Sequence, residues 1–237
     1  MSDYGSAAYW DERYAKHFQV DEHAAFDWHQ DYQALRPHLL PHLARGDSFE
    51  ILIPGCGNSD LGAALYDDGF LNITNIDISE VVINGMATRH AAREEMEFTK
   101  MDATNMEYLP NDCFNLIVDK ALLDAQLCGD NNFSNVSMVV NEMYRVLKPG
   151  GVYVCVSYGV PATRMGYLKT PNLDWSVSHS KIGVFCFALF CLSLFSPHAG
   201  VFCPSQACRA GVRRDGGRRA PLRVRLREAA VMGPLLG

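Results

Sequence analysis

A chain of 237 residues, 48% hydrophobic and 20% charged, is long enough for one domain of about 150 to 200 residues around a buried core, and this composition excludes a wholly disordered protein. The formal charge of -6 conceals an asymmetry: residues 1–177 hold 12 Lys or Arg against 25 Asp or Glu, whereas residues 178–237 hold 9 against 2. So acidic a body disfavours nucleic acid as a partner and suits a cationic one, although the same charge also serves simply to keep a domain soluble.

The first residues, "MSDYGSAAYWDER", have neither the basic region nor the apolar segment of an export signal, so a cytoplasmic location is the expectation. "YWDERYAKHF" and "DYQALRPHLLPHL" then read as two short helices, which makes residues 1–48 a helical cover over one mouth of the following domain. From Phe49 to Tyr158 short apolar runs alternate with amphipathic stretches: "FEILIP", "LGAALYDDG", "NITNID", "SEVVINGMATRHAAR", "MEFTKMD", "FNLIVDK", "NVSMVVNEMYRVL" and "GVYVCVSY". Strands that are apolar throughout, separated by helices, predict a doubly wound, mostly parallel sheet covered on both faces.

Local signals fix the boundaries. Ser79 directly precedes a helical stretch and is placed to cap it, and "LKPGG", Leu147 to Gly151, stops the next helix ahead of a strand over Val152 to Tyr158. "PATRMGYL" reads as a helical turn and "DWSVSHSKI" as the start of another strand. Beyond Ile182 the composition changes, so the domain is expected to span residues 1–182, with 183–237 an apolar, then Arg-rich, poorly ordered tail. Two other readings stay open for the run Ile182 to Phe195: a strand completing the sheet, or a shallow membrane-associated segment, since 14 residues fall short of the roughly 20 that cross a bilayer.

The eight cysteines are expected to be reduced thiols, and the four-residue gaps near the end of the chain are not expected to hold zinc, because "FCFALFC" offers a metal no polar support.

In an open parallel sheet, ligands sit at the carboxyl ends of the strands near the point where strand order reverses. Gly55 and Gly57 lie after the first strand, where glycine permits positive φ and lets backbone approach a ligand. Asp77 ends the second strand and is suited to accept hydrogen bonds from two ribose hydroxyls, so a nucleoside ligand is expected. NAD and S-adenosylmethionine both contain one. Asp60 occupies the third small-residue position of the dinucleotide fingerprint and opposes a pyrophosphate there, while Asp102, ending the third strand beside Met101 and Ala103, is placed to accept from an adenine amino group. Each acidic residue taken singly also reads as a helix cap or a solvated strand end.

Together these residues resemble the class I S-adenosylmethionine-dependent methyltransferases, and more narrowly the methyltransferase-like group that includes lysine methyltransferases of translation elongation factor 1-alpha. "YWDERY", "FDW", "IPGCGNS", "NIDISEVVI", "MDATNMEY", "IVDKALLDAQL", "EMYRVLKPGG" and "WSVSH" follow that group's pattern in order, from about Tyr9 to Ile182.

The resemblance implies a Rossmann-like fold that binds S-adenosyl-L-methionine. Trp10, Tyr14 and Trp28 would close over the cofactor and Gly55 would contact its methionine portion. Asp77 and Ile78 would serve the ribose and flank the adenine, Asp102 and Ala103 would meet the adenine edge, and Lys120 the carboxylate side. Aromatic faces attract a sulfonium, which supports the first assignment; ordinary helix packing is the alternative. Asp119 and Asp124, just past the fourth strand, are the candidates for steering and deprotonating a lysine ammonium, against readings as a strand-end cap and an exposed helical residue.

"DKAL" stands where many amino-group methyltransferases carry Asn-Pro-Pro-Tyr, which argues against adenine-N6 or glutamine methylation. Family members continue past "WSVSH" into an antiparallel hairpin, so here that hairpin is expected to be incomplete or replaced. The implied activity is methylation of a protein lysine, with elongation factor 1-alpha the implied substrate. A small-molecule methyltransferase and a non-catalytic cofactor-binding module are the alternatives.

Overall fold

The computed structural model describes residues 4–21, 23, 25–129, 132–182 and 187–194. Five strands, β1 (Ile51–Pro54), β2 (Ile73–Asp77), β3 (Met96–Lys100), β4 (Phe114–Lys120) and β5 (Leu147–Ser157), run parallel in the order β3-β2-β1-β4-β5. The order reverses between β1 and β4, so a crevice opens at their carboxyl ends.

Successive strand residues face opposite sides, and both sides are dry, which explains the continuous apolar runs. Ile51, Ile53, Leu116 and Val118 pack beneath Tyr14, Leu35, Leu61 and Val82. Those four come from α1 (Ala7–Val20), α2 (Tyr32–Leu39), α3 (Leu61–Asp67) and α4 (Glu80–Arg89). Leu52, Ile117 and Tyr153 face the other way, onto Leu123, Val136, Val139 and Leu168. These belong to α5 (Leu122–Leu127), α6 (Asn132–Val146) and α7 (Pro161–Leu168). Full burial of each such aliphatic side chain contributes about 2 kcal/mol.

The cap expected at Ser79 is present, and two more occur that were not read from the sequence. Ser79 Oγ accepts from the Val82 amide at the start of α4, and Ser6 and Asp31 cap α1 and α2 in the same way. The Lys-Pro-Gly-Gly segment is already part of β5, whose pairing with β4 slips between Phe114 and Leu116.

The far edge of the sheet differs from the expectation of a replaced hairpin. β6 (Trp175–Ile182) and β7 (Phe187–Leu194) form an antiparallel pair, and β7 lies between β5 and β6, giving a seven-stranded sheet β3-β2-β1-β4-β5-β7-β6. The apolar segment assigned to a tail is therefore an interior strand. Leu189 joins the core on one face of the sheet, and Ala188, Phe190 and Leu192 the core on the other. A strand buried on both faces has no polar alternation, and this is why it reads as a foreign apolar stretch.

The domain thus extends at least to Leu194 rather than to Ile182. Expectations about Cys186, about the Arg-rich segment and about the cysteines at 203 and 208 lie outside the described residues. Among the described residues no helix is long and apolar enough to cross a membrane.

Candidate active site

A cavity of about 670 Å³ opens at the carboxyl ends of β1, β2 and β4, under the N-terminal cover. Trp10, Tyr14, Trp28, Gly55, Gly57, Asp77, Ile78, Asp102, Ala103, Lys120 and Asp124 all line it. One expected member, Asp119, does not.

The floor is the turn after β1. Gly55 and Gly57 have φ of 62° and 54°, and a Cβ on Gly57 would stand 2.7 Å from the Tyr14 hydroxyl. Gly57 therefore satisfies both a left-handed backbone and a close approach by the cover. Gly57→Ala should lower unfolding free energy by about 1 to 2 kcal/mol and, because buried Tyr14 must move, weaken S-adenosylhomocysteine binding roughly tenfold in calorimetry.

Asp77 ties this turn to β2. One carboxylate oxygen accepts from the Gly57 amide and the other from the Ser79 amide, both at 2.9 Å. Burial pushes its carboxyl up to about 6, against the opposing pull of those backbone donors. The Ile78 amide adds to these donors, and the residue is a desolvated acceptor on a cavity wall.

The sign of its titration follows. Because the folded value exceeds the ordinary 3.8, the stability linked to Asp77 is complete below about 4 and is lost as pH rises through about 6. Hydroxyl donors on a ligand favour the ionised form instead. S-adenosylhomocysteine affinity should rise up to about tenfold between pH 5 and 6 and level off above 7, which calorimetry across that range would check.

Asp102 makes a strand-end turn on the cavity wall. Its Oδ1 accepts from the Thr104 amide and hydroxyl, both at 2.8 Å, making a local turn while the residue borders the cavity beside Met101 and Ala103.

The cover departs from expectation at its aromatic rings. Trp10 stacks on Tyr14, and the Arg13 guanidinium lies over Trp10, Phe26 and Trp28 at 5.9, 5.8 and 5.3 Å. A resident cation on the Trp10 and Trp28 rings opposes the attraction expected there for a sulfonium. Lys120, lowered by burial, is held by Asp27 at 2.5 Å and donates to the Trp28 carbonyl, so it fastens the cover to the end of β4.

Asp119 is corrected from a proton-handling residue to a structural one. It is fully buried, Oδ1 accepts from the Leu122 amide at the start of α5, and Oδ2 accepts from the Tyr153 hydroxyl at 2.8 Å. Asp124 is corrected in a different sense. It borders the cavity, but Ser157 Oγ (2.5 Å) and Arg164 (2.9 Å) reach its Oδ1, while the Tyr158 amide and His29 Nε2 (both 2.8 Å) reach Oδ2. Four partners fill a carboxylate's four acceptor positions and hold the carboxyl below its usual range against burial.

Sequence reading missed His29, Ser157, Tyr158 and Arg164. Ser157 ends β5 and was open to the strand-end argument applied to Asp77; His29 lies 95 residues from its partner and carries no local motif. Two non-glycine residues on the cavity wall, His29 and Ala121, have left-handed backbones with φ of 68° and 76°. Such strain persists only where surrounding structure enforces it.

A family model described as a methyltransferase domain matches residues 47–181, more than half of the chain. The chain belongs to this methyltransferase family. The methyltransferase is 32% identical over 185 residues to an "EEF1A lysine methyltransferase 4" of Mus musculus, covering 75% of this chain and 70% of that one. It is 40% identical over 158 residues to an "eEF1A lysine and N-terminal methyltransferase" of Bos taurus, covering 65% of this chain. It spans only 22% of that relative's length. A TehB-like S-adenosylmethionine-dependent methyltransferase from Corynebacterium glutamicum superposes with a TM-score of 0.57 over 78% of this chain and 97% of its own, at 14% identity, and so shares the fold.

The cofactor of the domain is S-adenosylmethionine, and the cavity fits it. A buried carboxylate on the cavity wall, a glycine turn too tight for a Cβ, and the apolar walls of Ile78, Met101 and Ala103 suit ribose, the amino acid portion and adenine respectively.

Proposed function

We propose that this methyltransferase transfers a methyl group from S-adenosylmethionine to a lysine of translation elongation factor 1-alpha or a similar protein, in the cytoplasm. The observation that carries this reading is the 32% identity to the murine lysine methyltransferase across most of both chains. An exposed aromatic rim supports a macromolecular acceptor: Tyr158 and Phe26, 65% and 41% exposed, border the cavity, and such residues anchor protein contacts.

Bound S-adenosylmethionine supplies an electrophilic methyl on a sulfonium. The chain's own residues have three tasks. Asp77, with Asp102 and Ala103, holds the adenosine end below β2 and β3. Lys120 and Asp27 pin the cover, which excludes water and orients the donor. The far end of the cavity, beyond β4 and β5, receives the acceptor amine.

Incubating the protein with tritiated S-adenosylmethionine and recombinant elongation factor 1-alpha, then mapping the label by mass spectrometry, tests this reading. Label on lysine is the expected result. Label on the amino terminus would favour the other activity in the bovine relative's name, and label only in small molecules would overturn the protein-acceptor reading.

A further inference from the structure

The amino acid portion of S-adenosylmethionine ends in an α-carboxylate, and a carboxylate taken out of water needs a cation or several hydrogen-bond donors. The cation expected to receive it, Lys120, is already held by Asp27 at 2.5 Å. Arg164, on the same cavity wall, is engaged in the same way by Asp124 at 2.9 Å.

Arg13 is different. Its half-buried guanidinium lies over the rings of Trp10, Phe26 and Trp28 at 5.9, 5.8 and 5.3 Å, and among the described residues no carboxylate pairs with it. Lys16, one turn along α1, is paired with Glu12 at 2.5 Å. Stacking on aromatic faces holds a guanidinium in place but leaves its in-plane N–H donors unused, and their fork matches the two oxygens of a carboxylate.

Its place suits the cofactor. Arg13 borders a second cavity of about 520 Å³, which shares Tyr14, Phe26, Trp28 and Asn58 with the walls of the first. That shared wall stands over the glycine turn, because the Tyr14 hydroxyl lies 2.7 Å from where a Cβ on Gly57 would be. The same turn is bound to Asp77 through the Gly57 amide. A ligand with its ribose on Asp77 therefore has the turn, and beyond it the seam between the two cavities, for its amino acid portion.

We propose that Arg13 is the receptor for the carboxylate of S-adenosylmethionine, in place of Lys120. The pairing also removes a conflict at the cover, since a carboxylate on the guanidinium offsets the resident charge that opposes a sulfonium near Trp10 and Trp28. A ligand without the carboxylate keeps that conflict. Arg13 thus selects for the complete amino acid portion of the cofactor, whatever the methyl acceptor is.

The test is calorimetry on the full chain, as wild type, Arg13→Gln and Arg13→Lys, with S-adenosylmethionine and with decarboxylated S-adenosylmethionine, which differs from it only in lacking the carboxylate. The wild type should bind the complete cofactor at least about 100-fold more tightly than the analogue. Arg13→Gln should cut that ratio below about fivefold, through weaker binding of S-adenosylmethionine and equal or tighter binding of the analogue. Arg13→Lys keeps the charge without the fork and should give a ratio of about 20. Looser packing of the cover would weaken both ligands alike and leave the ratio unchanged.

A wild-type ratio under about threefold, or an unchanged ratio in Arg13→Gln, would overturn the proposal and leave Arg13 a packing residue of the cover. If Arg13→Gln binds neither ligand, Arg13→Lys decides, and an undiminished ratio there would overturn the proposal as well. A wild type that binds both ligands but labels no lysine would overturn the lysine reading and leave the role of Arg13 standing.

Discussion

Asp124→Ala should lower the unfolding free energy by about 3 kcal/mol and reduce methyl transfer at least about 100-fold, with S-adenosylhomocysteine affinity changing no more than about threefold. The size follows from what remains behind. The substitution strands the Arg164 guanidinium, whose side chain is only 16% exposed, together with the Ser157 hydroxyl and the Tyr158 amide. Removing one partner of a buried pair costs more than the pair contributes, because the other charge stays desolvated. The carboxyl is held below its ordinary 3.8, so its contribution is complete above about pH 4 and is lost as pH falls through the depressed folded value. Urea denaturation at pH 7 and pH 3 should show a gap between wild type and variant that closes at the lower pH. A gap under about 1 kcal/mol at pH 7 would mean that the cluster is held by other contacts.

Asp77→Ala should have the opposite signature. The carboxyl is destabilised by burial, pushed up to about 6, so at neutral pH its removal relieves a desolvation penalty while releasing the amides of Gly57 and Ser79. These effects oppose each other, and the unliganded protein should lose no more than about 1 to 2 kcal/mol. Binding is another matter. Two ribose hydroxyls donating to a carboxylate contribute about 1.5 to 3 kcal/mol each, so the variant should bind S-adenosylhomocysteine at least about 100-fold more weakly. The readout is thermal unfolding with and without ligand: the wild type should gain several degrees and Asp77→Ala almost none. A ligand-induced shift equal to wild type would show that Asp77 only braces the glycine turn.

These contrasts show what was legible in the sequence. Asp77, Asp102 and the two glycines stand on successive strand ends of a βαβ ladder, where a short local pattern fixes their place. Asp119 and Asp124 follow β4 just as plainly, but whether an oxygen meets solvent or a partner is decided by Tyr153, Ser157 and Arg164, some 30 to 40 residues downstream. His29 sits in the cover and meets Asp124 across 95 residues of chain, beside the segment that Lys120 and Asp27 hold to β4. Long-range pairings of this kind carry no periodicity. β7 stayed only one of three readings for the reverse reason: burial on both faces removes the alternation that marks a strand, and the run offered composition alone.

The place of β7 between β5 and β6 also orders events during synthesis. β6 leaves the ribosome before the strand that joins it to the sheet, and at 5 to 20 residues per second a nascent chain carries both open edges until Leu194 has emerged. Throughout that interval the unpaired amides and carbonyls of β5 are a template for any other extended chain nearby. A message cut or mis-spliced just after the codon for Ile182 would hold the polypeptide in that sticky state permanently. Quality control would meet such a product as an aggregating chain even though every residue lining the cavity had already been made.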